Sequence, residues 1–362
     1  MGFRCGLVGL PNAGKSTIFN AMTNLGVEAS AYPFCTIDPH VGTIQLQDSR
    51  LDIIHQIIGS AKKTPTVLAF VDIAGLVRGA HKGEGLGNQF LSHISSVDAI
   101  VHVIRCFEDK NVSHPANKLD PADDAKTVTL ELILKDLDVV DKRLQKIRSS
   151  AKSGNSNLVK QIALLEPILA HLSEEKEIRS LELSDEQEEL IREMNCLTAK
   201  PVIFIANVDE NHLQDSPLVS ALEKHAETVH APCLPFCGKV QAEIAELDQS
   251  EQLEFLKAMG LTETALQKIV KTGYNVLNLI TFFTANENEA HAWTIEQNTP
   301  VIKAAAKIHT DFEKNFIKAE VVRYSDLEAQ QSMKTLHDKG LVLIHGRDYI
   351  VQDGDLILFK IR

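Results

Sequence analysis

Residues 5–24 of the chain read "CGLVGLPNAGKSTIFNAMTN". It has the pattern of a short apolar strand, a glycine-rich loop and a helix, and Gly9, Gly14, Lys15 and Ser16 supply the motif G-x-x-x-x-G-K-S. In such a loop the backbone N–H groups surround a phosphate, and the positive end of the helix dipole adds to the attraction. The lysine places its charge on the β- and γ-phosphates, and the serine hydroxyl ligates Mg²⁺. We therefore predict an α/β fold of the P-loop NTPase type.

A second motif supports this prediction. The apolar run "TVLAFVDIAG" ends in Asp72-x-x-Gly75. In P-loop hydrolases the aspartate holds Mg²⁺, often through water, and the glycine N–H contacts the γ-phosphate. Thr36 lies between the two motifs, where a switch threonine closes over Mg²⁺ when the γ-phosphate is present. The predicted catalytic residues are Lys15, Asp72 and Gly75, and the predicted metal ligands are Ser16 and Thr36.

The residue after Gly75 departs from the usual switch sequence. Small GTPases carry a glutamine here to position the attacking water, whereas this chain has Leu76, whose apolar side chain cannot orient water. Hydrolysis then needs another group, or it has a slow rate that a partner stimulates. His81 follows in a glycine-rich loop and could approach the γ-phosphate, although a lone exposed histidine in such a loop is more often inert.

The tetrapeptide after the apolar run "PVIFIA" bears on the choice of base. GTPases carry Asn-Lys-x-Asp there, and the aspartate accepts N1–H and N2–H of guanine; this chain has Asn207, Val208, Asp209 and Glu210. Glutamate sets the carboxylate one methylene farther out, and valine replaces the lysine that packs on the base. Since a site built for one hydrogen-bond pattern discriminates against another, we predict ATP, held in part by Asn207, Val208 and Glu210. The alternative is that the tetrapeptide only ends a strand.

The composition indicates a folded protein of two or three domains. The chain has 362 residues, of which 44% are hydrophobic and 24% charged. Its formal net charge of −12 argues against indiscriminate binding to nucleic acid, although a local basic surface is allowed. The six cysteines are scattered, and no apolar run approaches the roughly 20 residues that span a membrane. We therefore expect a cytoplasmic protein with no membrane partner.

More chain separates Gly75 from Asn207 than two βα units need, which predicts an insertion. Apolar residues recur at three- and four-residue steps over 130–147 and again over 158–172, the period of a helical seam. Ser184, followed by Gln187 three residues later, predicts the start of another helix. The predicted division is a nucleotide-binding G-domain over 1–120 and 200–277 with a parallel-rich central sheet, an antiparallel helical hairpin over 121–199, and an α+β domain over 278–362.

The predicted C-terminal domain has short β-rich pieces around the helix-like segment "TPVIKAAAKIHTDF", residues 299–312. Basic residues cluster around this segment, either as a surface for a phosphate backbone or as an ordinary solvated face. These basic residues are Lys303, Lys307, His309, Lys314, Lys318 and Arg323.

Four segments together resemble the YchF, or Obg-like ATPase, family of the P-loop GTPase superfamily, and the resemblance covers essentially the whole chain. They are "GLPNAGKST", "YPFCTIDP", "DIAGLVRGAHKGEGLGNQFL" and "NVDE". The resemblance implies hydrolysis of ATP to ADP and phosphate without the usual glutamine, a coiled-coil insertion and association with the ribosome. It also implies that the C-terminal piece is a TGS domain with a ubiquitin-like β-grasp fold.

The resemblance also implies roles for particular residues. The phosphates are expected at Asn12, Ala13, Gly14, Lys15, Ser16 and Thr17, Mg²⁺ at Ser16 and Thr36, and adenine at Val208. Asn12 matches an asparagine that coordinates K⁺ in some related GTPases, or it is a plain turn residue. The segment "FCGKV", residues 236–240, stands where a Ser-Ala-Lys base loop would be, and its divergence leaves its role open.

Two other functions remain open at this stage. An Obg-type GTPase is supported by the glycine-rich segment after Leu76, and retained guanine selectivity would establish it. A ribosome- or RNA-binding module would use nucleotide only for structure. The partner surface is expected on either the helical hairpin or the C-terminal domain.

Overall fold

The structure is a computed structural model that describes residues 3–25, 40–73, 94–109, 112–115, 118–151, 155–210, 212–213 and 216–362. The strands are β1 (Arg4–Val8), β2 (Val41–Gln45), β3 (Lys62–Thr64), β4 (Val67–Asp72), β5 (Ala99–Arg105), β6 (Val202–Asn207), β7 (Cys233–Phe236), β8 (Leu279–Ala285), β9 (Glu289–Glu296), β10 (Phe316–Val322), β11 (Leu343–His345) and β12 (Leu356–Ile361). The helices are α1 (Lys15–Leu25), α2 (Ser49–Ile58), α3 (Pro121–Ala151), α4 (Ser156–Ser173), α5 (Asp185–Met194), α6 (Pro217–Thr228), α7 (Gly238–Glu246), α8 (Gln249–Ala258), α9 (Ala265–Val276), α10 (Val301–Ile308), α11 (Thr310–Lys314), α12 (Tyr324–Gln330) and α13 (Met333–Asp338).

The chain divides into two compact units. The first consists of Phe3–Thr43 and Ala69–Ile269, and the second of Ile44–Leu68 and Val270–Arg362. Among the helices of the described ranges, none combines the length and the apolar character that crossing a membrane requires.

The first sheet has the strand order β2-β4-β1-β5-β6-β7. β1 pairs in parallel with β4 and β5, β5 with β6, and β6 with β7. Every residue of β5 and β6 is buried, as expected for parallel strands that are covered on both faces. This architecture confirms the predicted P-loop α/β fold. Since the carboxyl ends of these parallel strands meet at one edge, the loops that follow them are brought together there.

The predicted helical hairpin is present as α3 and α4, which pack against each other. Only residues 152–155 separate the two helices, so they are antiparallel. Their shared core includes Val140, Leu144 and Ile147 of α3 and Leu165 and Ile168 of α4. The predicted capping box that begins α5 is also confirmed.

The seam of α3 differs from the sequence prediction in its first turns. Leu130 and Leu134 are only partly buried, whereas Val128 and Leu132 are buried in the core that includes β5 and β6. The start of α3 therefore packs on the sheet, and only its later part packs on α4. The apolar period alone could not distinguish these two partners.

A buried carboxylate fastens the hairpin at its base. Asp136 of α3 is 1% exposed and accepts hydrogen bonds from the backbone N–H groups of Leu197 (2.8 Å) and Thr198 (2.7 Å). The Thr198 hydroxyl donates a third bond of 2.7 Å. Burial raises the pKa of Asp136, and these three donors act in the opposite direction by favouring its charged form.

The second unit contains a mixed sheet in the order β11-β10-β12-β8-β9-β3. β8 and β9 form an antiparallel hairpin, β12 lies parallel to β8, and β10 is antiparallel to both β12 and β11. α10 follows the hairpin, and its residues Val301, Ala304 and Ala305 pack in one core of this unit. This strand order is that of a β-grasp sheet, as predicted, whereas the relation to TGS domains stays a prediction.

The segment Ile44–Leu68 differs from its predicted place in the 1–120 piece, because it belongs to the second unit. β3 pairs in parallel with β9 through Lys62–Thr64. Leu51 and Ile54 of α2 are buried in a core that includes Phe283. Two buried aliphatic side chains and an added strand therefore attach this segment to residues more than 200 positions later. No local sequence pattern encodes such a pairing.

We predict that Asp136→Ala lowers the free energy of unfolding by about 3 kcal/mol, because it leaves three buried donors without an acceptor. Amide hydrogen exchange at Leu197 and Thr198 should accelerate, and the urea midpoint should fall. Asp138→Ala is the matched control, since Asp138 lies on the same helix but forms an exposed ion pair with Lys142. Equal effects of the two substitutions would contradict the prediction.

Candidate nucleotide-binding site

A cavity of about 620 Å³ lies in the first unit, at the edge of the sheet where β1, β5, β6 and β7 end. This volume falls in the range of roughly 300–1,000 Å³ that is usual for small-molecule sites. The cavity is lined by Asn12, Gly14, Lys15, Ser16, Thr17, Phe107, Glu108, Asp109, Val112, Asn207, Val208, Asp209, Glu210, Cys237, Gly238 and Lys239. The structure therefore brings the predicted phosphate residues and the predicted base residues to one cavity.

The loop between β1 and α1 depends on the close approach of Asn207. Gly14 has a φ of +97°, and a Cβ atom added to it would lie 2.0 Å from Asn207 Nδ2. That amide donates a hydrogen bond of 2.9 Å to the carbonyl of Ala13. Only glycine leaves room for this contact, so the motif's second glycine is required sterically as well as by its backbone conformation. Asn207 therefore supports the loop itself, a role that its predicted contact with the base did not include.

Lys15 is folded back onto its own loop. The residue is 8% exposed, and its ammonium donates to the carbonyls of Gly9 (3.0 Å) and Leu10 (2.9 Å). Burial lowers the pKa of Lys15, while the charge of Asp72 opposes that shift. The two carbonyls are neutral acceptors, so phosphate oxygens would be stronger partners for the ammonium.

The residues that would hold Mg²⁺ are of the right chemical type. Ser16 is exposed and lines the cavity, and Asp72 is the last residue of β4, paired in register with Leu7 at the end of β1. Burial raises the pKa of Asp72, whereas the charges of Lys15 and His40 oppose that shift. Hydroxyl and carboxylate groups are the hard oxygen ligands that Mg²⁺ prefers, so this donor set fits the ion.

Several predicted switch residues lie outside the described residues: Thr36, Gly75, Leu76 and His81. The predicted roles of these residues remain predictions.

The turn after β6, which lines the cavity on the side expected to bind the base, is charged. Val208 is 3% exposed and packs in the core of the sheet, so its side chain presents less apolar surface than the sequence suggested. The Glu210 carboxylate forms an ion pair with Lys239, whose pKa is raised by this hydrogen bond. Asp209 lies 2.7 Å from the ring of His212. The Glu210 carboxylate is therefore engaged by a lysine of the next loop.

A further wall of the cavity was missed by sequence reasoning. Arg105, the last residue of β5, is 5% exposed and donates to the carbonyls of Phe107 (3.0 Å), Asp109 (3.1 Å) and Val112 (2.9 Å). Its guanidinium also lies over the Phe107 ring, 4.8 Å from the centroid. This loop follows a fully buried strand that ends at the same edge as β1, which is the signal that could have identified it.

Asn12 joins the phosphate loop to that wall. It has a φ of +64°, and its side-chain amide donates to the carbonyl and the hydroxyl of Ser113 at 3.2 and 3.3 Å. The left-handed backbone and these contacts agree with the interpretation of Asn12 as a turn residue. The alternative role in binding K⁺ stays a prediction.

We predict that Asn207→Ala weakens the binding of ADP and GDP alike, by about tenfold each, because it removes a buried hydrogen bond that holds the phosphate loop. Isothermal titration calorimetry measures both affinities. Asn157→Ala, an exposed position on α4, serves as the control. A loss confined to one of the two nucleotides would show that Asn207 acts on the base alone.

Comparison with known proteins places this site in a family. Residues 4–135 match the family model described as a 50S ribosome-binding GTPase, and residues 279–362 match the YchF-GTPase_C model, described as a protein of unknown function. The chain is similar to the solved structure of the Schizosaccharomyces pombe YchF GTPase, with a TM-score of 0.89, 34% identity, and coverage of 99% of this chain and 98% of that one. A GTP-binding protein from Pyrococcus horikoshii, with 17% identity and a TM-score of 0.63 over 99% of this chain and 100% of that one, shares the fold.

Similarity in sequence extends over the same length. The protein named ribosome-binding ATPase YchF from Bacillus subtilis is 43% identical over 363 residues, which cover 99% of each chain. The protein of the same name from Haemophilus ducreyi is 46% identical over 360 residues, again 99% of each. Because this identity extends over 99% of this chain and of each relative, the chain belongs to the YchF family.

Proposed function

We propose that this chain is a Mg²⁺-dependent ATPase that hydrolyses ATP to ADP and phosphate, prefers ATP to GTP, and acts with the ribosome. The observation that carries the proposal is one cavity that is lined both by residues of the phosphate loop and by the Asn207–Glu210 turn. Relatives named ribosome-binding ATPases, similar over the whole chain, support both the reaction and the partner.

The phosphate end supplies charge and positioning. The backbone N–H groups of residues 12–17 and the N-terminus of α1 face the β-phosphate, as in other loops of this motif. Lys15 leaves the carbonyls of Gly9 and Leu10 and binds the β- and γ-phosphate oxygens. Because the ammonium meets anionic oxygens there, it stabilises the charge that develops on the transferred phosphoryl group.

Ser16 and Thr36 would hold Mg²⁺, with Asp72 as a partner through water, and the bound ion would neutralise part of the phosphate charge. The nucleophile is water. The Gly75 N–H contacts the γ-phosphate, and Leu76 in place of glutamine is consistent with a slow intrinsic rate. The segments with Thr36 and Asp72–Gly83 act as the switch that responds to the γ-phosphate.

The preference for ATP is supported by the ion pair at the base end. Guanine binding in GTPases uses a carboxylate that accepts both N1–H and N2–H, and in this chain the Glu210 carboxylate is engaged by Lys239. Adenine lacks the N2 amino group, so it requires no such free carboxylate. The side-chain oxygen of Asn207 and the side chain of Val208 remain the proposed adenine contacts. An Obg-type GTPase is the nearest alternative.

A module that binds ribosomal RNA through the C-terminal basic cluster receives less support from the charges. Lys303 pairs with Glu313 at 2.6 Å, Lys318 with Glu320 at 3.3 Å, and the ring of His309 lies 3.4 Å from Asp311. These contacts favour the interpretation of this region as a solvated face. The hairpin, proposed as a coiled coil, and the C-terminal domain, proposed as TGS-like, both remain candidates for the ribosome contact.

The free buried cysteines agree with a reducing cytoplasm.

We predict that wild-type protein releases phosphate faster from ATP than from GTP. Lys15→Ala should lower the ATP rate about 100-fold or more, because it removes the positive charge that stabilises the transferred phosphoryl group. Steady-state phosphate release in Mg²⁺ measures both rates. Lys160→Ala, which removes an exposed ion pair with Glu186 on the hairpin, is the control.

Undiminished ATP hydrolysis in Lys15→Ala would overturn the proposed mechanism, and faster turnover of GTP would establish the Obg-type alternative. The same assay in KCl and in NaCl tests whether K⁺ activates hydrolysis, as the K⁺-binding interpretation of Asn12 requires.

We predict that more full-length protein co-sediments with ribosomes in the presence of a non-hydrolysable ATP analogue than in the presence of ADP, because the γ-phosphate orders the switch segments. Lys15→Ala should lose this difference. Binding that is equal in the two nucleotides and in their absence would instead favour a module that uses nucleotide only for structure.

A further inference from the structure

Lys239 occupies a position that neither the phosphate motif nor the Asn207–Glu210 turn includes. It is the second residue of α7, which begins directly after β7. β7 lies parallel to β6 with Phe236 in register with Asn207, and the Val208 N–H donates to the carbonyl of Phe236 at 2.9 Å. The two turns therefore leave the sheet side by side, which brings Lys239 within reach of Glu210.

The loop before Lys239 is held close to the phosphate side of the cavity. A Cβ atom added to Gly238 would lie 2.6 Å from the Thr17 methyl group, so only a glycine allows this approach to α1. Cys237, Gly238 and Lys239 all line the cavity. Lys239 is thus placed by the sheet and by α1, and its ammonium lies at the base end.

The Lys239–Glu210 ion pair is exposed enough to be exchanged for a ligand. The side chains are 65% and 44% exposed, respectively, and such pairs contribute little to stability. The ion pair bears on base recognition, because Glu210 is the carboxylate that stands where GTPases bind guanine. Lys239 binds one oxygen of that carboxylate, so guanine, whose N1–H and N2–H are accepted by both oxygens, competes with the ammonium for Glu210.

We propose that Lys239 is a specificity-determining residue, which disfavours guanine nucleotides by occupying the Glu210 carboxylate. This inference rests on the proposed preference for ATP and assigns that preference to a side chain outside the Asn207–Glu210 turn. Removing the lysine leaves a free carboxylate at the base end, which is the acceptor that guanine lacks in the wild-type protein.

The test is the ratio of the dissociation constants for GDP and ADP, measured by titration calorimetry on full-length protein. The two ligands share their ribose and phosphates, so a change in net charge affects both affinities equally and cancels in the ratio. Lys239→Met removes the charge and keeps an unbranched, helix-compatible side chain. We expect the ratio to fall about tenfold, through tighter binding of GDP, as for one gained hydrogen bond to a charged acceptor.

Three variants make the interpretation specific. Lys239→Arg retains a cation that binds carboxylates and should keep the wild-type ratio. Lys239→Met combined with Glu210→Gln should lose the gain for GDP, because the neutral amide cannot replace the carboxylate. Lys142→Met removes an exposed lysine that pairs with Asp138 on α3 and should leave the ratio unchanged.

An unchanged ratio in Lys239→Met, or equal weakening of both nucleotides, would overturn the role of Lys239. If the wild-type protein nevertheless has a larger dissociation constant for GDP than for ADP, the proposed preference for ATP survives. A wild-type ratio at or below one overturns that preference and this inference together.

Discussion

The nucleotide site depends on one hydrogen bond, which the Asn207 amide donates to the carbonyl of Ala13. It joins the turn after β6 to the loop after β1, two segments almost 200 residues apart in the chain. The contact is short because Gly14 has no side chain to obstruct it. Since the same turn continues to Glu210, this bond ties the residues expected to bind the base to the phosphate loop.

Three basic side chains at the cavity already have partners within the protein. Lys15 donates to loop carbonyls, Arg105 to the carbonyls of the Phe107–Val112 loop, and Lys239 to Glu210. The carbonyls bound by Lys15 and by Arg105 differ in what a nucleotide does to them. The carbonyls bound by Lys15 are weaker acceptors than phosphate, so a nucleotide replaces them readily. The carbonyls bound by Arg105 belong to the cavity wall, and these hydrogen bonds stabilise the conformation of that wall.

The hairpin is attached to the nucleotide unit through buried polar contacts as well as apolar packing. Asp136 holds the backbone of Leu197 and Thr198, and Lys200, two residues farther on, donates to the carbonyls of Ile94, Ser95 and Val97. Those carbonyls belong to the segment just before β5. The insertion is thus fixed at its base to the edge of the sheet where β5 and β6 begin, which is opposite the edge where the cavity lies.

Local signatures in the sequence, namely glycine spacing, buried apolar runs and a period of three to four residues, predict the phosphate loop, the parallel sheet, the hairpin and the α+β character of the C-terminal domain. The β-grasp fold of that domain was implied by the family resemblance. Only the tertiary structure decided the rest. Ile44–Leu68 joins the second unit through β3 and α2, Val208 lies mostly buried in the core of the sheet, Arg105 holds a wall of the cavity, and Lys239 of the expected base loop pairs with Glu210. These features depend on contacts between segments far apart in the chain, which carry no local pattern until the sheet places their ends at one edge.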